Sequence, residues 1–264
     1  MRRGSTRSGR SYGADPAVES ASGDEAGGPR VHPRVHPRDD PGTSAGEKAP
    51  PKQRPLLRGW INILSIPYSV LLAYHLVLCA PTAGSAKAAM FSCFCSAVGY
   101  AVSGYYHAVT HTPAWRAYVR KFDHAAIFLT IAGTYTPFVY RAYENIGASW
   151  VLGLLVAEWL LALMGMANSA GGLVPNMTKL HRTLMYIAVS WIPVPAAGFA
   201  FGWSVYRWIA LGGLVYMTGG LMYGLQWPDP VPGVLGHHEL LHLAIVVANT
   251  LMMKGLEQAF VLFV

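Results

Sequence analysis

The stretch that decides the fold is GHHELLHLAIVVANTLMM, from Gly236 to Met253. Its first seven positions hold three histidines and a glutamate, whereas the next eleven hold only two polar side chains, Asn249 and Thr250. Such an apolar run predicts a helix that lies in hydrocarbon, where ionisable side chains are costly and mark functional sites. The polar residues at its start therefore need an explanation.

Apolar runs of similar length recur from Gly59 onward. A helix needs about 20 residues to cross a hydrocarbon core of ~30 Å. We predict an all-α fold, a seven-transmembrane helical bundle, with spans at roughly 60–80, 86–108, 122–141, 148–168, 183–203, 206–225 and 237–258. Only 12% of the 264 residues are charged, against roughly 25% in soluble domains. Pro193 and Pro195 are expected to kink or locally unwind the fifth span.

Residues 1–57 have a different composition, rich in Arg, Gly, Pro and Ser, with a short duplication, RVHPRVHPR. They show no helical or strand periodicity, so we expect a disordered basic tail before a membrane domain at 58–264. Acidic residues such as Asp15 and Glu19 argue against a transit peptide. The pI near 9.4 comes mainly from the tail and loops, and we expect no nucleic-acid partner.

The distribution of Lys and Arg predicts the orientation. With the N-terminus inside, sixteen of the twenty lie on the cytoplasmic side and four on the other. The positive-inside rule therefore favours a cytoplasmic N-terminus and a C-terminus outside.

This topology predicts at which side of the membrane each polar residue of a span lies. Ser103 and His107 fall at the cytoplasmic end of the second span, Asp123 at that end of the third, and His238 and His242 at that end of the seventh. Residues four apart share one helix face. Three segments distant in sequence are thus expected to deliver their polar groups to one leaflet.

Three neutral imidazoles with a fourth position left to water form the ligand set of a catalytic zinc site. We predict that His107, His238 and His242 bind Zn²⁺, which lowers the pKa of a bound water to about 7. Asp123 could hydrogen-bond that water and take its proton. Ser103 could donate to this carboxylate or to a developing oxyanion.

A rival motif overlaps the same segment. Residues 238–242 read H-E-x-x-H, the zincin pattern in which Glu239 would be the general base. The only later acid, Glu257, is fifteen residues beyond His242, which is over ~20 Å along a helix. It cannot be the third ligand, so His107 is the better candidate.

The remaining polar residues of the spans are given more ordinary interpretations. Glu158 is expected to be protonated or to face a polar cavity. The three cysteines are expected to be buried, inert thiols. Ordinary hydrogen-bonded or solvated side chains are expected for the other histidines: His75, His111, His124, His181 and His237.

Four segments resemble the hemolysin III family, membrane proteins related to the progestin and adipoQ receptors and more distantly to alkaline ceramidases. They are SGYYH (103–107), RKFDHAAIFLTIAGTYTPF (120–138), YGLQWPDPVP (223–232) and GHHELLH (236–242). The resemblance runs from about Arg58 to the C-terminus. It implies a seven-helix fold with a cytoplasmic-side zinc held by His107, His238 and His242, with Asp123 and Ser103 beside it. The family commonly has a histidine where this chain has Asn62.

We therefore expect a multi-pass integral membrane protein whose partners are membrane lipids. The leading hypothesis is a zinc-dependent hydrolase of lipid amides or esters, whose substrate approaches from the bilayer. The alternatives are a hemolysin-like, membrane-perturbing or channel protein and a receptor-like sensor, in both of which zinc would be structural. The sequence does not encode the oligomeric state.

Overall fold

The computed structural model describes residues 55–171 and 178–262. Within these ranges the regular structure is helical, apart from one isolated bridge between Val231 and Leu235. The eight helices are α1 Trp60–Cys79, α2 Ala83–Ala108, α3 Pro113–Ile146, α4 Ser149–Gly171, α5 Lys179–Trp191, α6 Val194–Phe201, α7 Trp203–Leu225 and α8 His237–Val261. The all-α prediction is confirmed. The predicted N-terminal tail lies outside the described residues as far as position 54.

Each of the seven predicted spans corresponds to helical structure, and the fifth corresponds to two helices. Helix α5 ends at Trp191, and α6 begins at Val194. Pro193 lies at this interruption. A proline has no backbone N–H to donate, so it cannot continue the hydrogen-bond ladder of α5.

Five helices among the described residues are long and apolar enough to cross a membrane, namely α1, α2, α4, α7 and α8. The protein is therefore an integral, multi-pass membrane protein. Helix α3 has 34 residues but carries polar side chains along its middle. The hydroxyls of Thr130, Thr134 and Thr136 donate to carbonyls one turn earlier in the same helix, which satisfies them inside a bundle. Helices α5 and α6, with 13 and 8 residues, are each too short, so seven complete crossings stay a prediction.

Helix α3 is central in the packing. It contacts α2 and α4 extensively and also touches α5, α6 and α8, while α7 packs along α8 and α1 along α2. Phe138, Leu256 and Phe260 are buried in the core. Small residues let membrane helices approach closely: a Cβ added to Gly219 of α7 would lie 2.5 Å from the Cβ of Ala244 of α8.

Contacts between helix termini define the two ends of the bundle. At one end α1 and α8 begin and α2 finishes, with Arg58 beside Glu239 and His107 beside His238. We call this the histidine end. At the other, which we call the far end, α1 and α8 finish and α2 begins, with His75 near Glu257.

Candidate metal centre

Three histidines from two helices meet at the histidine end. His107 is in the last turn of α2, and His238 and His242 are in the first two turns of α8. The Nε2 atoms of His107 and His238 are 3.1 Å apart, and one ring nitrogen from each of the three lies within 4.8 Å of the others. Zinc–nitrogen bonds of ~2.0–2.1 Å place tetrahedral ligands about 3.3 Å apart. A single ion can therefore be reached by all three rings with small side-chain adjustments.

The surroundings of these rings fit a metal ion. His107 and His242 are each only 6% exposed. Within the described part of the chain, the buried Nε2 of His242 and Nδ1 of His107 have no hydrogen-bond partner. A buried polar atom without a partner costs free energy, and coordination would satisfy one such nitrogen. Three neutral imidazoles suit zinc. Their role as ligands stays a prediction.

The structure also brings Asp123 and Ser103 to the three histidines. Asp123, in the third turn of α3, has its Oδ2 3.8 Å from Nε2 of His107. Ser103 and Asp123 line the same cavity beside these rings, and the side-chain amide of Asn62 donates to the Ser103 oxygen at 3.3 Å. Asn62 is only 1% exposed. An amide from α1 thus supports a hydroxyl in the same cavity as the candidate base.

A glycine in α2 allows this contact. Gly104 follows Ser103, and a Cβ placed there would lie 3.0 Å from the Cγ1 of Ile63 in α1. That distance is tighter than ordinary packing allows, so the absence of a side chain lets α1 lie close to α2. Asn62, adjacent to Ile63, can then reach Ser103.

Glu239, the acid of the H-E-x-x-H motif, holds the start of α8. One carboxylate oxygen accepts from the backbone N–H of Gly236 at 3.0 Å, and the other accepts from Nε of Arg58 at 2.7 Å. The side chain is 0% exposed. Both oxygens are therefore engaged in capping and ion pairing, which argues against a role as a general base. Sequence reasoning missed Arg58 because it lies 181 residues away in the chain.

Most of the other histidines have hydrogen-bonding partners away from this cluster: His237 pairs with Asp229 at 2.9 Å, His124 with Arg182 at 2.8 Å, His111 with the carbonyl of Tyr105 at 3.1 Å, and His181 with Thr178 at 2.7 Å.

Glu158 is only 1% exposed, and neither of its carboxyl oxygens has a hydrogen-bond partner within the described ranges. Cys93 and Cys95 are buried, whereas Cys79 is partly exposed, so the expectation of a buried thiol does not hold for Cys79.

A cavity of about 830 Å³ adjoins the cluster. Its lining includes His238 and Asp123 at the histidine end and reaches Met252 of α8. Met252 is fourteen residues beyond His238, which is ~21 Å along a helix. Arginines line the cavity near the cluster, whereas aromatic and apolar side chains such as Tyr135 and Trp191 line the part within the bundle. Its size is in the range of pockets that enclose a small molecule.

Fold and site together define a class: a helical, multi-pass membrane protein with a three-histidine, one-aspartate cluster at the end of a deep cavity. The family model described as haemolysin-III related matches residues 51–253, so the chain belongs to that family. It is 31% identical to the Hemolysin-3 homolog of Bacillus subtilis (strain 168) over 166 residues, 58% of this chain and 68% of that protein.

Two further relatives differ in how much of the chain they match. Hemolysin-3 of Bacillus cereus is 28% identical over 204 residues, 72% of this chain and 82% of that protein. The ADIPOR-like receptor IZH2 of Saccharomyces cerevisiae (strain ATCC 204508 / S288c) is 35% identical over 58 residues, 20% of this chain and 18% of that protein. The family resemblance inferred from the motifs is confirmed.

Proposed function

We propose that this protein is a zinc-dependent hydrolase that cleaves the amide or ester bond of a membrane lipid at the cytoplasmic side of the bilayer. One observation carries the proposal: three imidazoles and Asp123 stand at the end of a cavity of about 830 Å³ that extends into the apolar bundle. A lipid has the matching form, a polar linkage joined to a long apolar chain.

His107, His238 and His242 would hold the zinc, and the Ser103 hydroxyl would keep the Asp123 carboxylate oriented toward them. Zinc, when bound, supplies a Lewis acid that polarises a carbonyl and acidifies water. Asp123 would accept the proton of the attacking water and return it to the leaving amine or alcohol, so the proton balance closes within the site.

The cavity would bind the remainder of the substrate. Its inner wall, with Tyr135, Trp191 and Met252, suits an acyl chain because burial of apolar surface is favourable. Its arginine-lined region lies beside the cluster and suits a polar or anionic headgroup. The scissile bond would then lie next to Asp123, with the acyl chain entering from the bilayer.

The test is lipid turnover by purified protein in nanodiscs. A long-chain N-acyl amide lipid and the corresponding ester are supplied in parallel, and release of the free fatty acid is measured. We expect release in the presence of zinc, loss after chelation, and recovery on re-addition. Asp123→Asn should lower turnover ~10²–10⁴-fold, the usual contribution of an acid–base group, and His238→Ala should abolish zinc-dependent turnover.

The matched control is His111→Ala, which removes an imidazole in the loop after α2 that contacts the Tyr105 carbonyl and does not line the cavity. It should retain turnover. Fatty-acid release that is unchanged in both Asp123→Asn and His238→Ala would overturn the proposal. The names of the relatives raise two other outcomes. Dye leakage from liposomes that persists in Asp123→Asn would favour a membrane-perturbing protein, and zinc binding with no turnover would favour a receptor-like sensor.

A further inference from the structure

A second group of metal-ligand side chains lies at the far end. His75 and Cys79 are four residues apart in the last turns of α1, so they share a helix face. Glu257, near the end of α8, faces them. We propose that these three residues bind a divalent cation that accepts thiolate, with zinc the first candidate, at a site separate from the three-histidine cluster. This proposal does not rest on the proposed function.

Two of the three distances between ligand atoms are close to those of tetrahedral coordination. Cys79 Sγ lies 3.7 Å from His75 Nε2, and that nitrogen lies 3.6 Å from Oε1 of Glu257. Bonds of ~2.3 Å to sulfur and ~2.0–2.1 Å to nitrogen and oxygen place tetrahedral ligands about 3.6 Å apart for S and N, and about 3.3–3.4 Å apart for N and O. One ligand atom from each residue lies within 4.8 Å of the others. Sulfur, nitrogen and oxygen together form a set that zinc accepts.

The group lies at the surface of the bundle, in the last turns of its helices. The side chain of His75 is 53% exposed and that of Glu257 is 25% exposed, and Cys79 is the last residue of α1. With three protein ligands, a water would complete the coordination. On binding, the Cys79 thiol would release its proton to solvent and bind as a thiolate, with no change of oxidation state.

Lys254 competes with the ion for Glu257. Its Nζ lies 2.7 Å from Oε2 of Glu257, while Oε1 faces His75. An exposed ion pair of this kind is worth ~0.2–1 kcal/mol. Lys254→Gln should therefore tighten cation binding by about 1.4- to 5-fold. An ion at this site would join the ends of α1 and α8, whose beginnings are already joined by Arg58 and Glu239.

Cobalt titration of the full-length protein in detergent tests the site. Cobalt bound to a thiolate absorbs in the near ultraviolet, and the three-histidine cluster contains no sulfur. We expect this band in the wild type and in a variant in which all three histidines of the cluster are alanine. It should be displaced by zinc, lost in His75→Ala and Cys79→Ser, and weakened in Glu257→Gln.

Two controls separate the site from other thiols and imidazoles. Cys95→Ser changes a buried thiol and His181→Ala an exposed imidazole, and both should keep the band. Cys79→Ser alters a partly exposed side chain at a helix end, so a folded variant is expected, and size-exclusion chromatography checks it. Absence of the band in the wild type, or a band that survives Cys79→Ser, would overturn the proposal. Unchanged or weaker binding in Lys254→Gln would contradict the competition that we infer.

Discussion

The two ends of the bundle carry ligand groups with the same helical spacing in very different surroundings. His238 and His242 are four residues apart on α8, as His75 and Cys79 are on α1. The first pair is largely buried and adjoins a deep cavity. The second pair is more exposed and lies beside an acid that is salt-bridged to Lys254. Ligand spacing alone therefore does not distinguish a candidate reaction centre from a surface binding site; burial and the adjoining cavity do.

The strongest contrast between the ends should be in their ion pairs. Glu239 is 0% exposed and holds both Arg58 and the start of α8, whereas Lys254 and Glu257 are 55% and 25% exposed. Glu239→Gln would leave the Arg58 guanidinium without its counterion and should lower the free energy of unfolding by about 3 kcal/mol or more. Glu257→Gln should lower it by ~0–1 kcal/mol. Chemical denaturation in detergent measures both, and equal losses would show that burial does not separate the two pairs.

Zinc should stabilise the protein mainly through the histidine end. A ligand that binds only the folded state adds about 2.7 kcal/mol at a free concentration of 100 Kd. Thermal unfolding with and without zinc should show a rise in Tm that is lost when His107, His238 and His242 are replaced by alanine. Most of that rise should remain in Cys79→Ser, because we expect the exposed far-end ligands to bind more weakly. The opposite pattern would place the stronger site at the far end.

Much of the fold could be predicted from the sequence because lipid imposes a simple rule. Backbone groups in hydrocarbon must be satisfied within the segment, so long apolar runs become helices. The interruption at Pro193 follows from the same rule. The start of α3 does not follow from this rule. The helix begins at Pro113, well before the predicted first residue at position 122, because its first turns are polar and gave no apolar signal. Thr112 caps this extension by accepting from the Trp115 amide, and proline at the first helical position favours it.

The candidate centre was predictable in part. The spacing and depth of His107, His238 and His242 indicated convergence, and the structure places them together. Contacts that depend on tertiary packing were missed. Arg58 with Glu239 joins residues 181 apart, and Asn62 with Ser103 joins residues 41 apart. The far-end group was missed for the same reason, since His75 and Cys79 carry no signal until Glu257 is beside them.

The finest distinction between the ends concerns one hydrogen bond at each. The Asn62 amide supports Ser103 at the histidine end, and the Ser85 hydroxyl donates to Glu144 at 2.6 Å at the far end. Both donors are nearly inaccessible, with 1% and 0% exposure. Asn62→Ala should lower kcat of the proposed lipid hydrolysis about tenfold, since losing a buried hydrogen bond costs about 1–3 kcal/mol, while KM and bound zinc stay unchanged.

Ser85→Ala is the matched control for this prediction. It removes a donor of similar burial far from the cluster, so it should affect stability and leave kcat at the wild-type value. If Asn62 has only a structural role, Asn62→Ala and Ser85→Ala should both lower the stability of the protein, and the two variants should have the same kcat. If both variants turn over lipid equally, Asn62 does not position Ser103 for catalysis. If only Asn62→Ala is slow while its KM and bound zinc match the wild type, the Asn62–Ser103 hydrogen bond acts on the reaction through Ser103, because none of the candidate metal ligands has been altered.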